Sequence, residues 1–354
     1  MEKLRYPGSL HCHTDFSNFR LRDSINTVES LIDYAIELGH EVVAITEHDT
    51  IASAVRAEKY YNKIKKDNPN FRVLFGNEIY LVRNGLTNQN FNKEFDRYYH
   101  FILIAKDEIG HQQIREISTR AWMRSWVARR MRRVPTYYQD LIDIIGANPG
   151  HVIGSTACLG GCLPTQLMRL RDNGAPSIDK IKIWIRQMQQ IFGKDDFYFE
   201  MQPSKNKDQI YVNNELVKLG DELGIKYIIT TDAHYLKKSD RPIHKAFLNA
   251  QQGDREVDDF YATTYEMSDE EIRGYMEEEL GEEVLQKAYQ NIIEIKNKCK
   301  DFTLMKPLNI PRLNWKIPTI PTSIEGLRHI KEVENIPYIQ KFLNSEYEED
   351  VRLA

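Results

Sequence analysis

Long apolar runs, a charge excess of one sign and a cysteine framework are all missing from this 354-residue chain. No apolar stretch approaches the roughly 20 residues a membrane span needs, and "MEKLRYPGSLHCH" lacks the apolar core of a signal peptide. We therefore expect a protein of the cytoplasm with no membrane partner. The four cysteines, Cys12, Cys158, Cys162 and Cys299, are too few and too irregularly spaced to staple a fold, and a reducing compartment keeps them as thiols. A formal net charge of -4 excludes a protein held mainly by a phosphate backbone. The signs are segregated, however: residues 115–133 hold seven arginines against one glutamate, and 266–283 is acidic. No internal repeat is evident.

What is present is a recurrence of short β-rich runs, most of them followed by helical periodicity. The runs are GSLHC (8–12), EVVAIT (41–46), RVLFG (72–76), YHFILIA (99–105), HVIGST (151–156), FYFEM (197–201) and KYIITT (226–231). Between them, Val28, Leu31, Ala35 and Leu38 make one apolar stripe behind an expected Asn26/Glu29 capping box. Ile178, Ile181, Ile185, Met188 and Phe192 make another, ending at Gly193. Such alternation predicts an α/β fold, a closed or nearly closed parallel barrel of seven strands. We assign residues 1–300 to this domain. Residues 301–354 read as a proline-rich connector (Pro307, Pro311, Pro318, Pro321) with a partly helical tail.

In a barrel of βα units, residues just past the C-terminal strand ends converge on one face. Here those positions carry His11 and His13, His48, Glu78, Cys158, and Asp232 with His234, while His100 begins the fourth strand and fits the rule less well. Taken singly, each has a plain reading: a hydrogen-bonded core histidine, a small buried thiol, a helix-start acid. Six of seven strands carrying imidazole, carboxylate or thiol make chance the poorer explanation. Mixed imidazole and carboxylate donors suit Zn²⁺, Mn²⁺ or Fe²⁺, and clustered ions activate water and stabilise an in-line displacement at phosphorus. Phosphate-ester hydrolysis is the expected reaction.

The stretches "LHCHTDFS", "AITEHDT", "GNEIYLV", "YYHFILIAKDEIG", "STACLGGCLP" and "ITTDAHYL" resemble, in order, the motifs of the polymerase and histidinol phosphatase (PHP) domain. "ILIAKDEIGHQQIREISTRAW" and "DDFYATTYEMSDEEI" narrow the likeness to the N-terminal PHP domain of a bacterial or phage DNA polymerase III alpha subunit, over roughly residues 7 to 300. The resemblance implies a distorted (βα)7 barrel holding two or three divalent transition-metal ions on nine ligands. His11, His13, Glu78 and Asp232 would hold one ion; Glu78, His100 and Cys158 a second; Asp23, His48 and His234 a third. Glu78, His48 and Asp232 would carry catalysis. It further implies 3′–5′ exonuclease activity on a DNA 3′ end, with polymerase core domains and other replisome subunits as partners. A histidinol-phosphate-type phosphatase and a non-catalytic scaffold are the alternatives.

The loop between Ser17 and Asp23 is longer than in many relatives, and Pro203-Ser204 stand where many carry Asn-His. Strand alternation would put Asp15 with His11 and His13, but Thr14, Asp15, Ser17 and Asn18 form turns, so we expect Asp23 to be the ligand. No palm-like aspartate cluster follows residue 300, so no nucleotide incorporation is expected. "RAWMRSWVARRMRR" (120–133) reads as a helix with arginines scattered around its axis, equally suited to packing or to DNA.

Overall fold

The computed structural model describes residues 3–128, 131–250 and 260–307, together with Lys341, Asn344 and Glu346. Two compact units divide the chain, Met1–Met305 and Lys306–Ala354. Most of the second, including the proline-rich stretch and the tail, lies outside the described residues.

The strands are β1 (Val42–Ile45), β2 (Arg72–Val82), β3 (Tyr99–Ala105), β4 (Trp126–Ala128), β5 (Met131–Arg133), β6 (Thr136–Tyr137), β7 (Val152–Ser155), β8 (Phe197–Met201) and β9 (Tyr227–Ile229). The helices are α1 (Val28–Glu37), α2 (Ala54–Ile64), α3 (Glu108–Met123), α4 (Tyr138–Leu141), α5 (Cys162–Asn173), α6 (Ile178–Phe192), α7 (Lys207–Leu223), α8 (Arg241–Asn249), α9 (Asp269–Leu280) and α10 (Glu282–Lys298). One sheet runs β1-β2-β3-β7-β8-β9, with β6 added beside β2, and β4 and β5 form a separate hairpin.

Two features depart from seven parallel βα units. Strand β3 pairs antiparallel with both β2 and β7. A parallel strand needs a crossover long enough to return it, usually a helix, and the polar residues 83–98 supply none, so the chain turns straight back. The first expected strand, 8–12, is irregular apart from a bridge at Cys12. Its backbone nonetheless bonds on both sides. Ala44 and Thr46 N–H donate to the Ser9 and Cys12 carbonyls, and on the other side His13 N–H donates to Ala233 C=O at 2.9 Å. This segment therefore lies between the two ends of a curled sheet, and β6 is a short strand the sequence did not announce.

The helices follow their apolar stripes. Val28, Leu31, Ile32 and Ala35 of α1, and Ile181, Ile185, Met188 and Phe192 of α6, are buried. The cap of α1 is one residue later than expected: Thr27 and Ser30 form the box. Asn26 instead donates to the carbonyl of His13 at 3.1 Å, which fixes the loop after the histidines. The arginine-rich segment is not one helix either. Helix α3 stops at Met123 and the chain continues as the β4–β5 hairpin. Among the described residues no helix is long and apolar enough to cross a membrane.

Helix α3 packs its first turn on the chain entering β7. A Cβ on Gly110 would lie 1.9 Å from the His151 carbonyl oxygen. In an exposed helix Gly→Ala stabilises by up to about 1 kcal/mol. Here the sign should reverse: Gly110→Ala should destabilise by about 1–3 kcal/mol through overpacking, read from urea midpoints.

Candidate metal centre

Strand reversal explains why His100 belongs with the other donors. Because β3 runs opposite to its neighbours, its first residues lie at the pole where β1, β7 and β9 end. Past those ends the backbone takes unusual turns: Asp49 (φ 53°), Ala157 (φ 56°) and Asp232 (φ 50°) are left-handed non-glycine residues. Such conformations cost of order 1 kcal/mol or more and persist where the surroundings dictate them. The loop after Ala157 doubles back tightly enough that a Cβ on Gly161 would sit 2.0 Å from the Thr156 carbonyl oxygen.

All nine expected side chains meet there. His11 Nε2 lies 3.1 Å from His13 Nε2 and 3.2 Å from Asp232 Oδ1, and His13 Nε2 is 3.1 Å from that same oxygen. Glu78 stands between groups. Its Oε1 is 3.6 Å from His11 Nε2 and 2.7 Å from His100 Nδ1, while its Oε2 is 3.6 Å from His13 Nε2 and contacts His48 Nδ1. Cys158 Sγ is 3.3 Å from His100 Nδ1. Asp23 Oδ2 lies 2.9 Å from His48 Nε2 and 3.5 Å from His234 Nε2. Three sets have donor atoms within 4.8 Å of one another: His11, His13 and Glu78; Glu78, His100 and Cys158; His13, His48 and His234. Asp15 is exposed in a short 3₁₀ turn, whereas Asp23 is buried. Cys162 stays apart: it opens α5, and Gln166, one turn on, donates to its sulfur.

The outer atoms of the imidazoles are held as well. Glu200 Oε1 accepts from His11 Nδ1 at 2.7 Å, Ser17 Oγ accepts from His13 Nδ1 at 3.0 Å, and the Asp232 carbonyl accepts from His234 Nδ1 at 2.7 Å. Each ring thus turns Nε2 inward, the arrangement that orients histidine ligands. Glu200 was missed in the sequence, where FYFEM looked free of site chemistry. Its signal was a lone carboxylate in an otherwise apolar buried strand, which must find partners. It finds them in His11, Ser155, Gln202 and Thr230.

Electrostatics mark the cluster as a seat for cations. Burial opposes every charge, yet His48 and His234 hold the Asp23 carboxyl well below its usual range, and His100 and His48 do the same for Glu78. Burial disfavours His11 protonation, but Asp232, Glu200 and Glu78 outweigh it and raise its pKa to about 9. Burial is likewise outweighed at His48 by Asp23 and Glu78, to about 10. His13, buried beside His48 and His234, falls to about 3. Burial, Asp232 and Glu78 push the Cys158 thiol up. Asp23 Oδ1, both Glu78 oxygens and Asp232 Oδ1 are buried with no hydrogen-bond partner. Unsatisfied buried carboxylate oxygens beside inward-facing imidazoles fit divalent metal ions.

A raised histidine pKa stabilises the metal-free fold fully below the ordinary value near 6.5, and that contribution fades as pH rises through about 9. Glu200→Gln should move the His11 titration in metal-free protein down from about 9 by NMR. An unchanged His11 midpoint would show that Glu200 does not act on the ring.

The family model for the PHP domain matches residues 9–204. Over 96% of its length the chain is 35% identical to the Bacillus subtilis (strain 168) protein named "Probable DNA polymerase YorL", and equally to the "DNA-directed DNA polymerase" of Bacillus phage SPbeta. It is 28% identical, over 95% of its length, to the "DNA polymerase III subunit alpha" of Borreliella burgdorferi. The chain spans about a quarter of these relatives, 26%, 26% and 27% of their lengths. With more than half of its residues matched by the family model, the chain belongs to the PHP domain family.

Proposed function

We propose that the chain is the PHP module of a cytoplasmic replicative polymerase of the DNA polymerase III alpha type, and that it hydrolyses phosphodiesters at a DNA 3′ end. The observation that carries the reading is the convergence of His11, His13, Asp23, His48, Glu78, His100, Cys158, Asp232 and His234 around buried carboxylate oxygens that lack partners. These residues would hold two or three Zn²⁺, Mn²⁺ or Fe²⁺ ions, Glu78 serving two of them. When bound, such ions supply a nucleophilic hydroxide at neutral pH and neutralise charge developing on phosphoryl oxygens.

The chain's own residues do the rest. Glu78, with one oxygen toward His11 and His100 and the other toward His13 and His48, ties the groups into one array. Glu200 keeps His11 turned inward through Nδ1. Tyr80 places its hydroxyl 3.2 Å from His48 Nδ1, giving that nitrogen a second polar neighbour beside Glu78. Asp232, beside His11 and His13, adds negative charge that favours a cation among them. Of the nine side chains only His100 is more than marginally exposed, at 23%, so substrate enters on its edge and bulk water is excluded elsewhere.

The deciding experiment incubates the purified chain with Mn²⁺ or Zn²⁺ and either 3′-labelled single-stranded DNA or histidinol phosphate. Loss of 3′ nucleotides without phosphate release from histidinol phosphate supports the reading; the reverse selects the phosphatase, and inertness toward both selects a scaffold. Glu78→Ala should abolish hydrolysis, since it disturbs two ion sites, while Cys162→Ala should be nearly silent. Metal analysis should find two or three ions in the wild type and about one fewer in Asp23→Ala, with Asp15→Ala unchanged. Equal loss in both aspartate variants would refute the assignment of Asp23.

A further inference from the structure

We propose that Arg20 and Arg133 form an anion seat at the mouth of the histidine and carboxylate cluster, and that it receives a phosphodiester of single-stranded DNA. The choice of strand as occupant rests on the hydrolytic function proposed above; the seat itself rests on geometry.

Arg20 lies in the loop between His13 and Asp23, and its side chain is 2% exposed. Three sides of its guanidinium are held. Nε donates to Asp49 Oδ2 at 3.0 Å, the central carbon lies 4.2 Å from the centre of the Tyr80 ring, and Nη1 is 3.7 Å from Met131 Sδ on β5. Nη2 is buried and has no partner. A buried cationic donor left unmade costs more than a neutral one, so its persistence points to an acceptor that arrives with a ligand. The place is the cluster's open edge. Tyr80, under the guanidinium, has its ring 4.4 Å from that of His100 and its hydroxyl 3.2 Å from His48 Nδ1.

Arg133 approaches the same edge from the hairpin. Its guanidinium carbon is 5.2 Å from the centre of the Tyr98 ring, two residues before His100, and among the described residues it pairs with no carboxylate. Burial and the nearby Arg20 both disfavour its charge, so two guanidinium groups crowd one opening. A forked, permanently charged guanidinium matches phosphate oxygens. The end of α3 that leads into the hairpin is held at this edge, Trp122 donating from Nε1 to the Asp49 carbonyl at 2.6 Å, and the base of the hairpin is closed by Arg132 donating to Ser125 Oγ at 2.9 Å. Tyr98, half-buried beside Arg133, puts an aromatic ring among the arginines of this edge, the combination by which proteins follow a single strand, whereas a lone phosphomonoester needs no such track.

The test is fluorescence anisotropy with a labelled ten-nucleotide oligothymidylate and the protein as purified, over a series of salt concentrations. Arg20→Gln and Arg133→Gln should each weaken binding about tenfold or more, and each should lower the slope of log affinity against log salt by about 0.7. Arg186→Gln, an exposed substitution on α6, should match the wild type in both. Thermal melts accompany each variant; if Arg20→Gln unfolds, Arg133→Gln decides. Wild-type affinity and slope in a folded variant of either arginine would overturn the seat, as would no measurable wild-type binding. Inorganic phosphate competing as well as the oligonucleotide at equal phosphate concentration would overturn the strand as occupant. A wild type that binds through both arginines yet removes no nucleotides would leave the seat standing and reject the hydrolytic reading alone.

Discussion

Three carboxylates, Asp23, Glu78 and Asp232, are buried around one group of histidines, and this concentration of negative charge in a low-dielectric interior governs the molecule. Removing a carboxylate from water costs several kcal/mol after relaxation, so a set of them survives only with positive charge in their midst. The chain supplies part of it as imidazolium, at His11 and His48, whose protons burial would otherwise expel. Imidazolium is an incomplete answer. Asp23 Oδ1, both Glu78 oxygens and Asp232 Oδ1 complete no well-formed hydrogen bond even where imidazole nitrogens lie beside them, and His13 is too crowded by His48 and His234 to help. Divalent ions satisfy the same field with fewer particles and use the lone pairs that protons leave idle.

Backbone architecture follows from the need to bring donors to one pole from distant parts of the chain. Most arrive on loops past parallel strand ends, where three left-handed non-glycine residues aim them. His100 arrives by reversal of β3, and His11 and His13 arrive on a segment too irregular to be a strand yet bonded to backbone on both flanks. Regularity gives way at this pole because short-range turns, not sheet register, must place nitrogen and oxygen atoms within a few ångströms.

Legibility in the sequence tracks the kind of force involved. Strand and helix positions were readable because burial imposes periodicity, as in α6, and the histidines and Glu78 because strand ends converge whatever the loops do. Asp23 was separable from Asp15 because turn-forming residues break alternation, and only Asp23 is buried. Local chemistry misled where two solutions lie one residue apart: Asn26 could have capped α1, but the His13 carbonyl claims its side chain and Thr27 takes the cap. The direction of β3 depended on what 83–98 omits, a crossover helix. Glu200 and Arg20 were illegible for a different reason. Their partners, His11 and Asp49, are 189 and 29 residues away, and no pattern along the chain reports a contact closed only by folding.

Burial that excludes water from eight of the nine side chains also decides where anything can enter. His100 is the exposed edge, and what borders it is Tyr80, Tyr98 and the β4–β5 hairpin. Arginines placed among the carboxylates would have satisfied them directly and left no room for ions. Set at the rim, with Arg20 tied to Asp49 and Arg133 stacked on Tyr98, they keep their charge and stay out of the cluster. The molecule therefore separates its two signs by position: the carboxylates lie among the imidazoles, where cations are wanted, and the arginines lie beside Tyr80 and Tyr98 at the His100 edge, where an anion would first arrive.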